Sequence, residues 1–189
     1  TMEPSKYFSE YFDTISSTLS SIDTSRLSEA ADIVWQCSQS GKKVIVVGNG
    51  GSAAMASHVA VDLTKAAGIR AVTFNDADLL TCFANDYGYA EWVVEALNAY
   101  ADVGDVAILI SSSGTSQNIV RGADRAKVLG LKTITLSGFS ENNDLRNRGD
   151  INFWLDSTSY NIVEMTHHTW LVAIVDYLIQ DHSRFIDEK

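Results

Sequence analysis

Five short apolar runs punctuate the chain: "KKVIVVG", "IRAVTFN", "DVAILIS", "KTITLSG" and "INFWLD". Each is rich in Val, Ile, Phe or Thr, is too short for a helix, and ends in turn residues. Between them lie helical patterns at about residues 52–67, 90–102 and 116–130. Two further helices, at 5–22 and 25–40, precede the first run, and a long one at about 160–182 follows the last. Strands alternating with helices predict a parallel sheet covered on both faces. The expected fold is α/β: a three-layer sandwich around a doubly wound, five-stranded parallel sheet, with two N-terminal helices. At 189 residues, with no internal repeat or long linker, the chain suits a single domain. It divides into a helical extension at about 5–40 and an α/β core at about 41–182. Tyr7, Phe8, Tyr11, Phe12 and Ile15 recur at helical spacing, an aromatic stripe for core packing or subunit contact.

Ligands of open parallel sheets bind at the carboxyl ends of the strands, near the point where strand order reverses. Two strand ends carry unusual chemistry here, "GNGGSAA" after the first run and "SSSGTSQN" after the third. The second turn concentrates five hydroxyls, on Ser111, Ser112, Ser113, Thr115 and Ser116, around Gly114. Glycine lets the backbone approach a ligand, and the following helix offers free N–H groups and a positive dipole end. Such a turn suits a phosphate monoester. The plainer possibility is a helix cap, which needs only one of those hydroxyls. The first turn also fits GxGxxA at Gly48, Gly50 and Ala53, with Asp76 near the end of the second strand. That is a relaxed dinucleotide fingerprint, but a nicotinamide cofactor leaves the serine turn without a role. A phosphosugar uses both turns, so no nucleotide cofactor is expected.

Composition narrows the classes. The net charge is -10, from 14 basic and 24 acidic residues, which argues against a nucleic-acid surface but not against a phosphate held by backbone amides. Cys37 and Cys82 are the only cysteines and lack metal or disulfide spacing. No stretch is long enough to span a bilayer and no leader pattern is present. The expected setting is a reducing cytoplasm.

"VVGNGGSAA…H…D" together with "ILISSSGTSQNI" resembles the sugar isomerase (SIS) fold, and within it the phosphoheptose isomerases, over about residues 5–180. The likeness includes "CFANDYGY" at 82–89 and the last helix. It implies an aldose–ketose isomerase acting on sedoheptulose 7-phosphate through an enediol, as a homotetramer with sites at subunit interfaces. It also implies that Asn49, Gly51 and Ser52 face the sugar, with Ser52 capping its helix. Ser111, Ser112, Ser113 and Ser116 would hold the phosphate, while Asp86 and Glu164 would be polar contacts to substrate. Some members hold zinc with His-x-x-x-Glu, a Gln and a His. Here the pattern is His58-x-x-x-Asp62, and Val163 and Leu171 stand at the Gln and His positions. His167 lies on the stripe of Val163 and Leu171, at i, i+4, i+8. The expectation is Asp62 as base, His167 as acid, and zinc or another divalent metal held by His58, Asp62 and His167. A local His58–Asp62 ion pair is the plainer alternative for those residues. Loss of the expected Gln and His leaves open a non-catalytic SIS module that binds a sugar phosphate or a protein partner.

Overall fold

A computed structural model describes residues 2–186, with side chains through residue 181; His182, expected to be solvated, lies outside those side chains. Two helices, α1 (Pro4–Leu19) and α2 (Thr24–Gln39), lead into β1 (Val44–Val47), α3 (Gly51–Lys65) and β2 (Ala71–Val72). Then follow α4 (Ala77–Tyr87), α5 (Trp92–Tyr100), β3 (Val106–Ile110), α6 (Gln117–Val128), β4 (Lys132–Ser137), β5 (Ile151–Trp154) and α7 (Tyr160–Ile186). Each of the five apolar runs forms a strand, although only two residues of the second pair in the sheet. The strand order is β2-β1-β3-β4-β5, and every pairing is parallel.

β1 and β3 are buried along their whole length, which is why they read as continuous apolar runs rather than alternating ones. Val44 and Val46 face a core shared with α2, α3 and α7, including Val34, Val59, Leu63, Val163 and Leu171. Ile45 and Val47 face the opposite core, built from Trp92, Leu97, Ile119 and Ala123 of α5 and α6. Side chains that alternate faces along a strand thus serve two hydrophobic layers. Within the sheet, β1 and β3 are direct neighbours, with Val44 opposite Val106 and Val47 opposite Leu109. The chain runs outward in one direction from β1 to β2 and in the other from β3 to β5. The switch point therefore falls between the two Gly/Ser turns.

α4 is an element that the sequence pattern did not suggest. Asp76 is its N-cap, accepting from the Asp78 N–H at 3.1 Å, so the acidic residue of the dinucleotide alternative is used to start a helix. α7 packs on the first core and is tied to α1 by a Thr18–Thr166 hydroxyl contact of 2.8 Å. The Trp170 indole N–H also donates to the Leu19 carbonyl, at 3.1 Å. α1 itself has no buried residue, and Phe8 and Phe12 are 56% and 66% exposed. No helix among the described residues is long and apolar enough to cross a membrane.

Candidate active site

The two turns meet over the switch point around a cavity of about 110 Å³, lined by Asn49, Ser52, Ser111, Ser112, Ser113, Ser116, Tyr160 and Glu164 over the end of Ile110. At about 30 Å³ per water molecule, that is room for a group of phosphate size. Every Ser expected to hold phosphate is here.

The hydroxyls of the second turn are not consumed by capping. Ser116 is the N-cap of α6, yet its side chain makes no capping bond. It accepts from the Ser111 hydroxyl at 3.1 Å, while Ser111 accepts the Gly114 N–H at 3.1 Å. Ser113 pairs with Thr115 at 3.0 Å. Ser112 is 5% exposed, and its Oγ has no hydrogen-bond partner among the described residues. A buried hydroxyl left unpaired costs about 1–3 kcal/mol, a cost that an anion seated in the cavity removes. Ser116 thus does not act as a simple side-chain cap.

The first turn is locked to the second through an amide pair. Asn49 Nδ2 donates to Asn118 Oδ1 at 3.0 Å, and Asn118 Nδ2 returns a bond to Asn49 Oδ1 at 2.9 Å. The Tyr89 hydroxyl also donates to Asn49 Oδ1, at 2.9 Å. Asn49 therefore lines the cavity with its amide already oriented. Asn118, Tyr89 and Tyr160 were not singled out in the sequence; Asn118 is the second residue of α6, where only a tertiary partner reveals its use. Ser52 is the second residue of α3, not its cap, because Gly50 at φ 55° starts the helix. It is buried and turned toward the cavity. Gly51 leaves space for Glu164: a Cβ there would lie 2.1 Å from Glu164 Oε2. Burial pushes the Glu164 carboxyl above the usual range. The Ser112 hydroxyl faces it and partly offsets that rise, without reaching the geometry of a hydrogen bond.

Two expected residues are placed elsewhere. Asp86 ends α4 on an exposed face and accepts from the Asn85 amide at 2.9 Å; it does not line the cavity. His167 is fully buried and its Nε2 meets the Ser137 carbonyl at 3.0 Å. A carbonyl only accepts, so Nε2 carries the proton and Nδ1 is left buried without a partner. The stripe shared with Val163 and Leu171 was correctly drawn, but those apolar neighbours turn it into the core. His168, one residue or about 100° further round the helix, faces α3 instead. Its Nε2 lies 2.6 Å from His58 Nδ1, and burial lowers its pKa, as does His58.

His58 Nε2 meets Asp62 at 3.0 Å. The imidazole therefore bridges Asp62 and His168 through opposite nitrogens. A divalent metal needs donor atoms converging on one point at about 2.0–2.2 Å. The set His58, Asp62 and His167 is not brought together, and no group of three His, Cys, Asp or Glu among the described residues could hold a metal ion. The residues present do not fit the expected metal.

Burial holds the His167 pKa down at about 4, so the side chain is neutral at pH 7. In the unfolded chain an imidazole protonates near pH 6.5. Between these values the unfolded state binds more protons. Stability is then full above about pH 6.5 and falls as pH drops toward 4, by about 3 kcal/mol in all. Thermal unfolding at pH 7.5, 6.5 and 5 is expected to show this decline, and His167→Gln to flatten it. An equal pH slope in the variant would contradict the assignment.

Residues 10–138 match the SIS domain family. The phosphoheptose isomerase of Thermodesulfovibrio yellowstonii is 34% identical over 163 residues, 83% of this chain and 80% of that protein. The phosphoheptose isomerase of Fusobacterium nucleatum is 33% identical, over 72% of each chain. Among solved structures, phosphoheptose isomerase GmhA from Neisseria gonorrhoeae superposes with a TM-score of 0.82 at 26% identity, covering 92% of this chain and 96% of that one. A phosphoheptose isomerase from Francisella tularensis shares the fold with a TM-score of 0.85 at 23% identity, over 95% and 100% of the two chains. These likenesses favour the isomerase over the non-catalytic module. With its two Gly/Ser turns joined at the switch point of the sheet, the chain belongs to the SIS domain family, among the phosphoheptose isomerases.

Proposed function

We propose that the protein interconverts sedoheptulose 7-phosphate and its aldose isomer through an enediol. The observation that carries this is the cluster of uncapped hydroxyls at Ser111, Ser112, Ser113 and Ser116, with Ser112 Oγ buried and unpaired. The phosphate sits at the head of α6, and Asn49 and Ser52 meet the sugar hydroxyls. From Ser52 the sugar runs along α3 toward His58, six residues and about 9 Å further on. Seven bonds separate phosphorus from C2 in a seven-carbon 7-phosphate. At roughly 1.2 Å per bond in an extended chain, they span about 8 Å, a length comparable to that rise, which suits a long sugar whose reacting carbons reach toward the Asp62–His58–His168 chain. Asp62 is the base in this proposal, and His168 takes the place expected for His167. Asp62 takes the proton from C1 and, after exchange with solvent, delivers one to C2, while the hydroxyl proton passes from O1 to O2. Exposed Tyr7, Phe8 and Phe12 on α1 support a homotetramer, and the free thiols of Cys37 and Cys82 suit a cytoplasmic setting.

Steady-state conversion of sedoheptulose 7-phosphate, with the unphosphorylated ketose as control, tests the proposal. Turnover is expected for the phosphate ester alone and is expected to survive chelation. Equal rates for the two sugars would remove the phosphate seat from the mechanism.

A further inference from the structure

The cavity that seats the phosphate has no cationic side chain in its lining: eight polar or aromatic residues and Ile110 surround it, and the one charged group is the carboxylate of Glu164. Phosphate sites commonly use Arg or Lys to balance the ligand. Here the positive potential comes from the heads of α6 and α3. The head of α3 is already served, because the Glu164 carboxylate lies against Gly51, the first residue of that helix. Glu164 thus occupies an anion position with an anion of its own.

Seating a phosphate dianion in the same small cavity puts two like charges side by side with no cation between them. Like-charge juxtaposition of this kind costs several kcal/mol. Protonating the carboxyl removes the repulsion and turns an acceptor into a donor, as when an apolar site keeps a carboxylic acid neutral to donate a hydrogen bond. We propose that Glu164 binds the phosphosugar in its protonated form, donating a hydrogen bond to it, so that each substrate bound takes up a proton from solution. The inference rests on the serine turn seating the phosphate. It adds a role that this seat alone does not require.

The groups facing Glu164 leave it as the proton acceptor. From the α3 side these are Gly51 and Ser52, and from the β3 turn Ser112, none of them charged. On its own helix Tyr160 shares the cavity, and His168, one turn on, is directed to His58. Burial already lifts the Glu164 carboxyl, which shortens the step to protonation when the phosphate arrives.

Isothermal titration with sedoheptulose 7-phosphate at pH 8, where the ester is a dianion, measures this directly. Heats recorded in two buffers of different ionisation enthalpy report the protons taken up. The wild-type chain is expected to take up between about half and one proton per site, and its Kd to weaken by up to tenfold per pH unit above pH 7. Glu164→Gln presents a permanent amide donor. It is expected to take up close to none, to lose the pH dependence, and to bind at pH 8 at least as tightly as wild type. Glu164→Asp is expected to retain uptake. Binding by wild type without proton uptake would overturn the inference and leave the phosphate seat intact, whatever the fate of the variants. Equal uptake in Glu164→Gln would also overturn it, placing the proton on the ligand. No binding by wild type would overturn the seat and the inference together.

Discussion

Gly114→Ala is expected to lower the Tm by about 10 °C and to abolish phosphosugar binding. Gly114 has φ +69°, a region that costs an L-residue about 1–2 kcal/mol. Space is the larger problem. A Cβ there would lie 1.9 Å from Asn143 Oδ1 and 2.1 Å from its Cγ, and Asn143 cannot step aside cheaply. Its amide donates to Ser137 Oγ, the Gly138 carbonyl and the Ser140 carbonyl, at 2.9–3.1 Å. Its oxygen accepts the N–H groups of Leu145 and Arg146. Breaking part of this buried set adds about 1–3 kcal/mol for each group left unpaired. A total of about 3–5 kcal/mol corresponds to a fall on the order of 10 °C for a chain of this size. Gly50→Ala is the control. Its φ of +55° with ψ of -122° lies outside the left-handed helical region, but nothing lies within 4 Å of the added Cβ, so it is expected to cost only backbone strain of about 1–3 kcal/mol. Thermal unfolding of the two variants side by side checks the difference; equal Tm values would contradict it.

Ser113→Asp is expected to weaken sedoheptulose 7-phosphate binding at least a hundredfold while leaving the Tm within a few degrees. Ser113 is half-buried, and its bonds to Thr115 are local, so the fold does not depend on it. A carboxylate at this position places a fixed negative charge where the phosphate sits, a juxtaposition costing several kcal/mol. Ser113→Ala removes only a donor to a charged acceptor, worth about 1.5–3 kcal/mol, and is expected to cost roughly ten- to a hundredfold. The order wild type, Ala, Asp in Kd is the signature. An Asp variant that binds as well as the Ala variant would move the phosphate away from this turn.

The strands were legible because a parallel sheet covered on both faces buries every residue of β1 and β3, leaving uninterrupted apolar runs. The serine turn was legible for a similar reason: a glycine at positive φ and a cluster of hydroxyls are local features. α4 was not, although Leu79, Leu80 and Phe83 pack at helical spacing against the second core; the helix is short and none of its residues is fully buried. The choice between His167 and His168 turned on one residue of register. Val163 and Leu171, four residues either side of His167, are both buried. Apolar neighbours at i-4 and i+4 mark a stripe that faces the core, and that signal was present in the sequence. The His58–His168 contact and the Asn49–Asn118 pair join residues 110 and 69 positions apart, and no local pattern announces them.

The most direct test of the central claim is to incubate the wild-type protein with sedoheptulose 7-phosphate in D2O and follow the sugar by NMR. A phosphosugar isomerase working through an enediol is expected to produce the aldose 7-phosphate with deuterium at C2, and to wash deuterium into C1 of the remaining ketose. A ketose that binds, as judged by a raised Tm, yet stays unchanged with no deuterium at C1 would contradict the claim and leave a protein that only holds the sugar.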